Sequence, residues 1–240
     1  MTDHAINLNN LSGIPDAYLH RLKKVRNIFL ETDFLDDLME DREVALLVEE
    51  VNEFCLNARI KGFHYTRAVP EQILRSGLTC RTGEEIRINF MKDHGHLFSD
   101  TELQIVQNKW DNHFDHRQQQ SRDNYLFFNF TTSALYNGGA EPLLVHFGGE
   151  QIYMPFYECD NISSIIKSLG SPMILKCNLD PSYLNTFYEH PWGKIAVSSY
   201  HSMCNPEACR VDQDGYQSVD VHPFQIEILD YDSHTDFSKI

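Results

Sequence analysis

No apolar stretch in this 240-residue chain approaches the ~20 residues a helix needs to cross a bilayer, so no membrane association is expected. The opening residues, MTDHAINLNN, lack the basic-then-apolar order of an export signal. Basic residues are scarce: 20 Lys and Arg stand against 35 Asp and Glu, for a formal net charge of −15. A surface that negative repels phosphate backbones, so nucleic acid is the less favoured partner, and a protein or a small molecule the better one. The longest basic stretch, HRLKKVR at 20–26, is short and reads as the wet face of a helix. Six cysteines (Cys55, Cys80, Cys159, Cys177, Cys204, Cys209) are scattered through a chain too long to need staples, which suits reduced thiols in a cytoplasmic protein. Internal repeats, low-complexity tracts, linkers and phosphate-binding glycine loops are all missing. What remains is an ordinary globular composition, 42% hydrophobic and 23% charged, long enough to bury a sizeable core.

Periodicity divides the chain into a helical region over 1–60 and a strand-bearing domain over 61–240. In 15–39, Tyr18, Leu22, Val25 and Phe29 recur at helical spacing behind Pro15. In 41–60, Val44, Leu47, Val48, Val51 and Phe54 do the same. From Lys61 the texture changes: GFHYTR reads as a strand, and PEQILRSG as a short helix with Pro70 in its first turn and Gly77 closing it. Ser99 with Glu102 three residues on predicts a capping box, and Leu103, Val106, Trp110 and Phe114 mark the buried face of a helix over 99–120. NYLFFNF is the strongest strand signal, and TTSALYN turns it into a helix that Thr131 or Thr132 can cap. PMILKCNLD, KIAVSSY and FQIEILDY read as further strands. Helices first, then strands interrupted by helices, predict an α+β fold with a mixed or antiparallel sheet.

The stretch FHYTRAVPEQILRSGL resembles the opening strand and helix of the ADP-ribosyltransferase superfamily, in its poly-ADP-ribose polymerase and diphtheria-toxin-like branch of His-Tyr-Glu type. There a strand carries His-Gly-Ser/Thr and leads into a helix ending Ser-Gly-Leu. His64-Tyr65-Thr66 is similar, with Tyr65 in place of the glycine. NYLFFNFTTSALYN resembles the next core strand, running through a Ser/Thr turn to a tyrosine, and VDVHPFQIEILDY resembles the closing strand pair. The resemblance spans roughly 61–230 and implies a split β-sheet, NAD as substrate, nicotinamide release and transfer of ADP-ribose to a macromolecule, a protein by the charge argument. It implies His64 on the ribose, Thr66 and the backbone nearby around nicotinamide, Arg67 on the diphosphate and Tyr136 stacked on the nicotinamide ring, with Tyr65 and Thr132 as further NAD-binding residues.

These roles make chemical sense. Breaking the nicotinamide–ribose bond creates a sugar cation, which a carboxylate steadies, as in glycoside cleavage. Guanidinium grips a diphosphate bidentately. The chain departs from the pattern at the glutamate expected before the closing strands, since none lies between Glu207 and Glu227. Asp212, Asp214, Gln217 and Asp220 are the substitutes there, with Gln217 and Asp220 taken as site residues beside His64 and Tyr136. Glu141 or Glu150, each following a Gly-Gly pair, is a further source of the carboxylate. That departure leaves room for NAD hydrolysis, or for a non-catalytic interaction or immunity-type protein that retains the fold. A different class, a zinc-dependent hydrolase, rests on His94 and His96 in DHGH with His113 and His116 in HFDH. No second cysteine pair completes the one in MCNPEAC, which reads as a turn.

Overall fold

Helix caps set the first boundaries. In the computed structural model, which describes residues 5–211 and 214–231, the N-terminal region folds into α1 (Asp16–Lys24), α2 (Leu35–Leu38) and α3 (Arg42–Leu56). Asp41 starts α3 by accepting from the backbone N–H groups of Glu43 and Val44, two of the donors a helix start leaves without partners. Val44, Leu47, Val48, Val51 and Cys55 then form its buried stripe. The helical spacing through Val25 and Phe29 ends early. α1 stops at Lys24, and a separate 3-10 turn at Ile28–Leu30 delivers Phe29 to the core.

The strands are β1 (Ile60–Ala68), β2 (Leu126–Asn129), β3 (Ser171–Leu179), β4 (Asn185–Thr186), β5 (Asp214–Gln217) and β6 (Ile226–Asp230). Among the described residues they form one sheet of order β4-β5-β2-β1-β3-β6 in which every pairing is antiparallel. The fold is mixed helix and sheet, compatible with the α+β expectation. β1 is in register with β3 along its whole length, from Ile60–Leu179 to Ala68–Ser171. With β2 it shares a single register pair, Phe63 opposite Asn129. The sheet is therefore two three-stranded halves joined at a narrow seam.

Seven helices lie between β1 and β3 among the described residues: α4 (Pro70–Ser76), α5 (Gly83–His94), α6 (Asp100–His113), α7 (His116–Arg122), α8 (Glu141–Val145), α9 (Glu150–Tyr153) and α10 (Asp160–Ser168). Gly77 ends α4 at φ 69°, where a side chain would be strained. Ser99 and Glu102 form the expected capping box on α6. The helix expected over 99–120 breaks, because Phe114 turns inward to be buried and Asp115 caps α7 through the N–H groups of Arg117 and Gln118. Of these, α5, α6, α9 and α10 enclose a core of Phe90, Trp110, Phe114, Ile152, Phe156 and Ile162.

KIAVSSY is not a strand. It lies inside α11 (Pro191–Cys204), started by Pro191 in its first turn. Trp192 to His201 are nearly all buried, so the segment shows no polar face, and a short apolar run buried all round gives no period to read. α11 crosses α3 closely, and the two helices pack with Phe128, Phe130, Leu175, Cys177 and Leu179 in the largest core. The opposite sheet face covers Phe63, Tyr65 and Ile174 with Ala134, Ala140 and Leu144. TTSALYN forms only a 3-10 turn at Ser133–Leu135. Its Thr132 does not cap a helix, but bonds Asn9 Oδ1 through both N–H and Oγ1, each at 3.1 Å.

Candidate binding cleft

Successive side chains on a strand point to opposite faces, and this alternation divides the HYTR motif. His64 and Thr66 share the face turned toward α3 and α11: the His64 ring lies 5.9 Å from that of Phe128, a member of that core. Tyr65 lies in the core of the other face, and its hydroxyl donates to the Thr131 carbonyl at 3.3 Å. Arg67 follows Tyr65 on that face. A ligand lying against one face meets His64 and Thr66, or Tyr65 and Arg67, but not all four.

His64 sits at the seam, with Nδ1 2.9 Å from the Phe127 carbonyl oxygen. A carbonyl only accepts, so Nδ1 carries the proton and Nε2 is left as an acceptor in the neutral ring. Burial lowers the His64 pKa, and the Phe127 hydrogen bond opposes that shift. The imidazole therefore ties the two halves of the sheet together.

On the opposite face opens a cleft of about 590 Å³ lined by Arg67, Tyr136, Glu141, Lys167, Pro172 and Tyr231 among others. Arg67 Nε donates to the Leu169 carbonyl at the end of α10, at 2.6 Å. That bond fixes the guanidinium at its base, and neither Nη group has a partner among the described residues. The backbone there is fixed as well, since the Gly148 N–H donates to the Arg67 carbonyl at 3.1 Å. Gly148 and Gly149, at φ 81° and 74°, make the tight turn that brings the chain to the end of β1. Lys167 on α10 and Glu141 at the start of α8 are exposed and make no ion pair among the described residues. Tyr136, following the 3-10 turn, is 61% exposed, so its ring is open to stacking. The cleft thus combines two unneutralised cations, an aromatic face and a carboxylate.

The other expected residues lie elsewhere. Gln217 is buried on β5 and spends its amide on the Val219 carbonyl at 2.6 Å. Asp220 accepts from the Cys80 N–H at 2.7 Å and so secures the chain after α4. Thr66 is buried on the far face. Asp212 lies outside the described residues. Asp214 starts β5, where the Asn129 amide donates to it. Glu150 is held by Arg122 at 3.0 Å. Of the carboxylates considered, Glu141 alone lines the cleft among the described residues. Lys167 had no signal in the sequence beyond being one polar residue on an amphipathic helix.

Of the paired histidines, His94 and His113 are engaged in packing, while His96 and His116 are exposed. His94 lies edge-on to Phe147 with ring centres 5.0 Å apart, and His113 packs against Phe114 at 4.9 Å. Among the described residues no three His, Cys, Asp or Glu side chains gather into a group able to hold a metal ion. No protein-family model, no curated protein and no solved structure matches this chain.

Proposed function

We propose that this protein is an NAD-dependent ADP-ribosyltransferase whose dinucleotide lies in the cleft beside Arg67 and transfers ADP-ribose to a protein acceptor. One observation carries the reading. Arg67 and Tyr136, assigned by resemblance to the diphosphate and to nicotinamide from separate segments, line a single cleft together with unpaired Lys167 and Glu141. Arg67 offers two Nη groups to the diphosphate and Lys167 adds a second positive charge. Tyr136 stacks on the nicotinamide ring.

As the ribose C1–nitrogen bond breaks, its electron pair leaves with nicotinamide and the positive charge passes to the ribose. Glu141 steadies that cation. A nucleophile on the acceptor then bonds to C1 and loses its proton, and water in the same role gives NAD hydrolysis. In this reading His64 is a positioning residue that holds β2 against β1, and neither Gln217 nor Asp220 touches the ligand.

Chromatography of free nicotinamide after incubation with NAD tests the proposal, with NAD affinity measured alongside by calorimetry. Release by the wild type is expected. Glu141→Gln should lower it by about 100-fold or more while NAD still binds, the loss typical of a removed electrostatic stabiliser. Tyr136→Ala should weaken binding. If NAD neither binds nor is consumed, the proposal fails. Binding without release would leave a nucleotide-binding protein with the same cleft.

A further inference from the structure

A second surface lies on the other half of the sheet. Phe128 and Gly215 face α11, so their neighbours Phe127 and Tyr216 point away from it. There the ring of Tyr216 lies 4.7 Å from Tyr125, 5.5 Å from Phe127 and 6.0 Å from Phe187, at mutual tilts of 60°, 41° and 45°. Rings set at such angles form walls rather than a closed stack, and Tyr125 and Tyr216 are themselves half-buried. Phe127 is 39% exposed and Phe187 67%, so the described chain leaves part of one ring and most of the other open to solvent. Two residues further along the same face, Asn129 stands opposite Asp214 and donates its amide to that carboxyl. Asp214 has no cationic partner among the described residues, and partial burial pushes its pKa up against the pull of Asn129.

We propose that Tyr125, Phe127, Tyr216 and Asp214 form a docking surface for a basic segment of a protein partner, with an arginine or lysine side chain over the rings and its charge against Asp214. Aromatic faces are electron-rich and attract cations, most strongly where water is partly excluded. A carboxylate without a counter-charge beside them adds the ionic half of the match. The net charge of −15 draws a basic segment toward the molecule and repels nucleic acid.

Binding of a fluorescein-labelled hexa-arginine peptide, followed by anisotropy with the full chain and no NAD, tests this independently of the cleft. Asp214→Asn and Phe127→Ala are expected to weaken binding about fivefold each. Glu53→Gln, an exposed acid on α3 in the opposite layer, should change it less than about twofold. Circular dichroism checks folding, and should Phe127→Ala unfold, Asp214→Asn carries the test alone. Equal weakening by Glu53→Gln and Asp214→Asn would mean diffuse charge attraction and overturn the proposal, as would failure of the wild type to bind the peptide.

Discussion

Gly193→Ala should destabilise the protein even though it improves helix propensity. Gly193 lies in the first turn of α11, where that helix crosses α3. A Cβ placed there would stand 1.9 Å from the Val48 carbonyl oxygen and 2.7 Å from its carbon. A carbon approaches a carbonyl oxygen to about 3.3 Å, so the helices must part by roughly 1.4 Å. The obstacle is backbone in the middle of α3, which has no rotamer to move aside. Replacing an interior glycine by alanine favours a helix by about 1 kcal/mol. Against this, overpacking a tight contact costs about 1–3 kcal/mol. Separation also loosens two neighbouring contacts: the Trp192 N–H bond to Asn52 Oδ1 at 3.2 Å, and the edge-on packing of Trp192 with Phe130 at 4.7 Å. Together these are worth about 1–3 kcal/mol. The net expectation is a loss of about 1–5 kcal/mol, centred on about 3 kcal/mol, read as a lower urea midpoint at unchanged slope. Gly95→Ala is the control: its φ is −55° and the added carbon would meet only the tip of Met91 at 3.5 Å, so stability should hold or rise slightly. A Gly193→Ala variant as stable as wild type would refute the close crossing, and with it the helix over 191–204.

Two further outcomes follow from single groups. Asp41→Ala removes the acceptor for two N–H groups at the start of α3 and should cost about 1 kcal/mol in urea denaturation; an unchanged midpoint would show that water replaces the cap without loss. For His64, burial lowers the folded-state pKa below 6.5, so the unfolded chain takes up the proton first as pH falls. Stability from this group is thus present above pH 6.5 and lost as pH drops below it toward the folded value. His94 and His146 are shifted in the same direction by burial and add to the trend. His64→Gln should therefore lose less stability than wild type between about pH 7.5 and 5.5, and parallel losses in the two proteins would remove His64 from the account.

The features legible in the sequence were those fixed by neighbours a few residues away. Ser99 and Glu102 cap a helix by their own spacing, and Pro70 and Gly77 bracket another for backbone reasons that need no tertiary context. KIAVSSY was illegible because it is buried on every side, so burial removed the polar face that would have revealed a helical period. The short helices around Glu141 and Glu150 carry too few turns to show a period at all. For the cleft, the residues by themselves did not make Arg67 and Tyr136 neighbours; only the resemblance placed them on one ligand, since their meeting depends on how the segment after β2 folds back over β1. Lys167 reaches them only because α10 leads directly into β3, the register partner of β1.

The end of β1 shows why a motif is not yet a site. In GFHYTR the residue types are local information, but the alternation that separates them is equally local and just as firm. A strand carrying four functional side chains in a row presents two pairs to two different layers. With α3 and α11 covering one layer, His64 and Thr66 belong to the seam and the core, and Arg67 is the member left facing an open cleft. The two pairs should then fail differently. Loss of His64 removes the ring that bridges β1 to Phe127, so it acts through the sheet, whereas loss of Arg67 acts on whatever the cleft holds. Variants at both positions, compared by urea midpoint and by NAD affinity, separate a strand that supports a site from one that lines it.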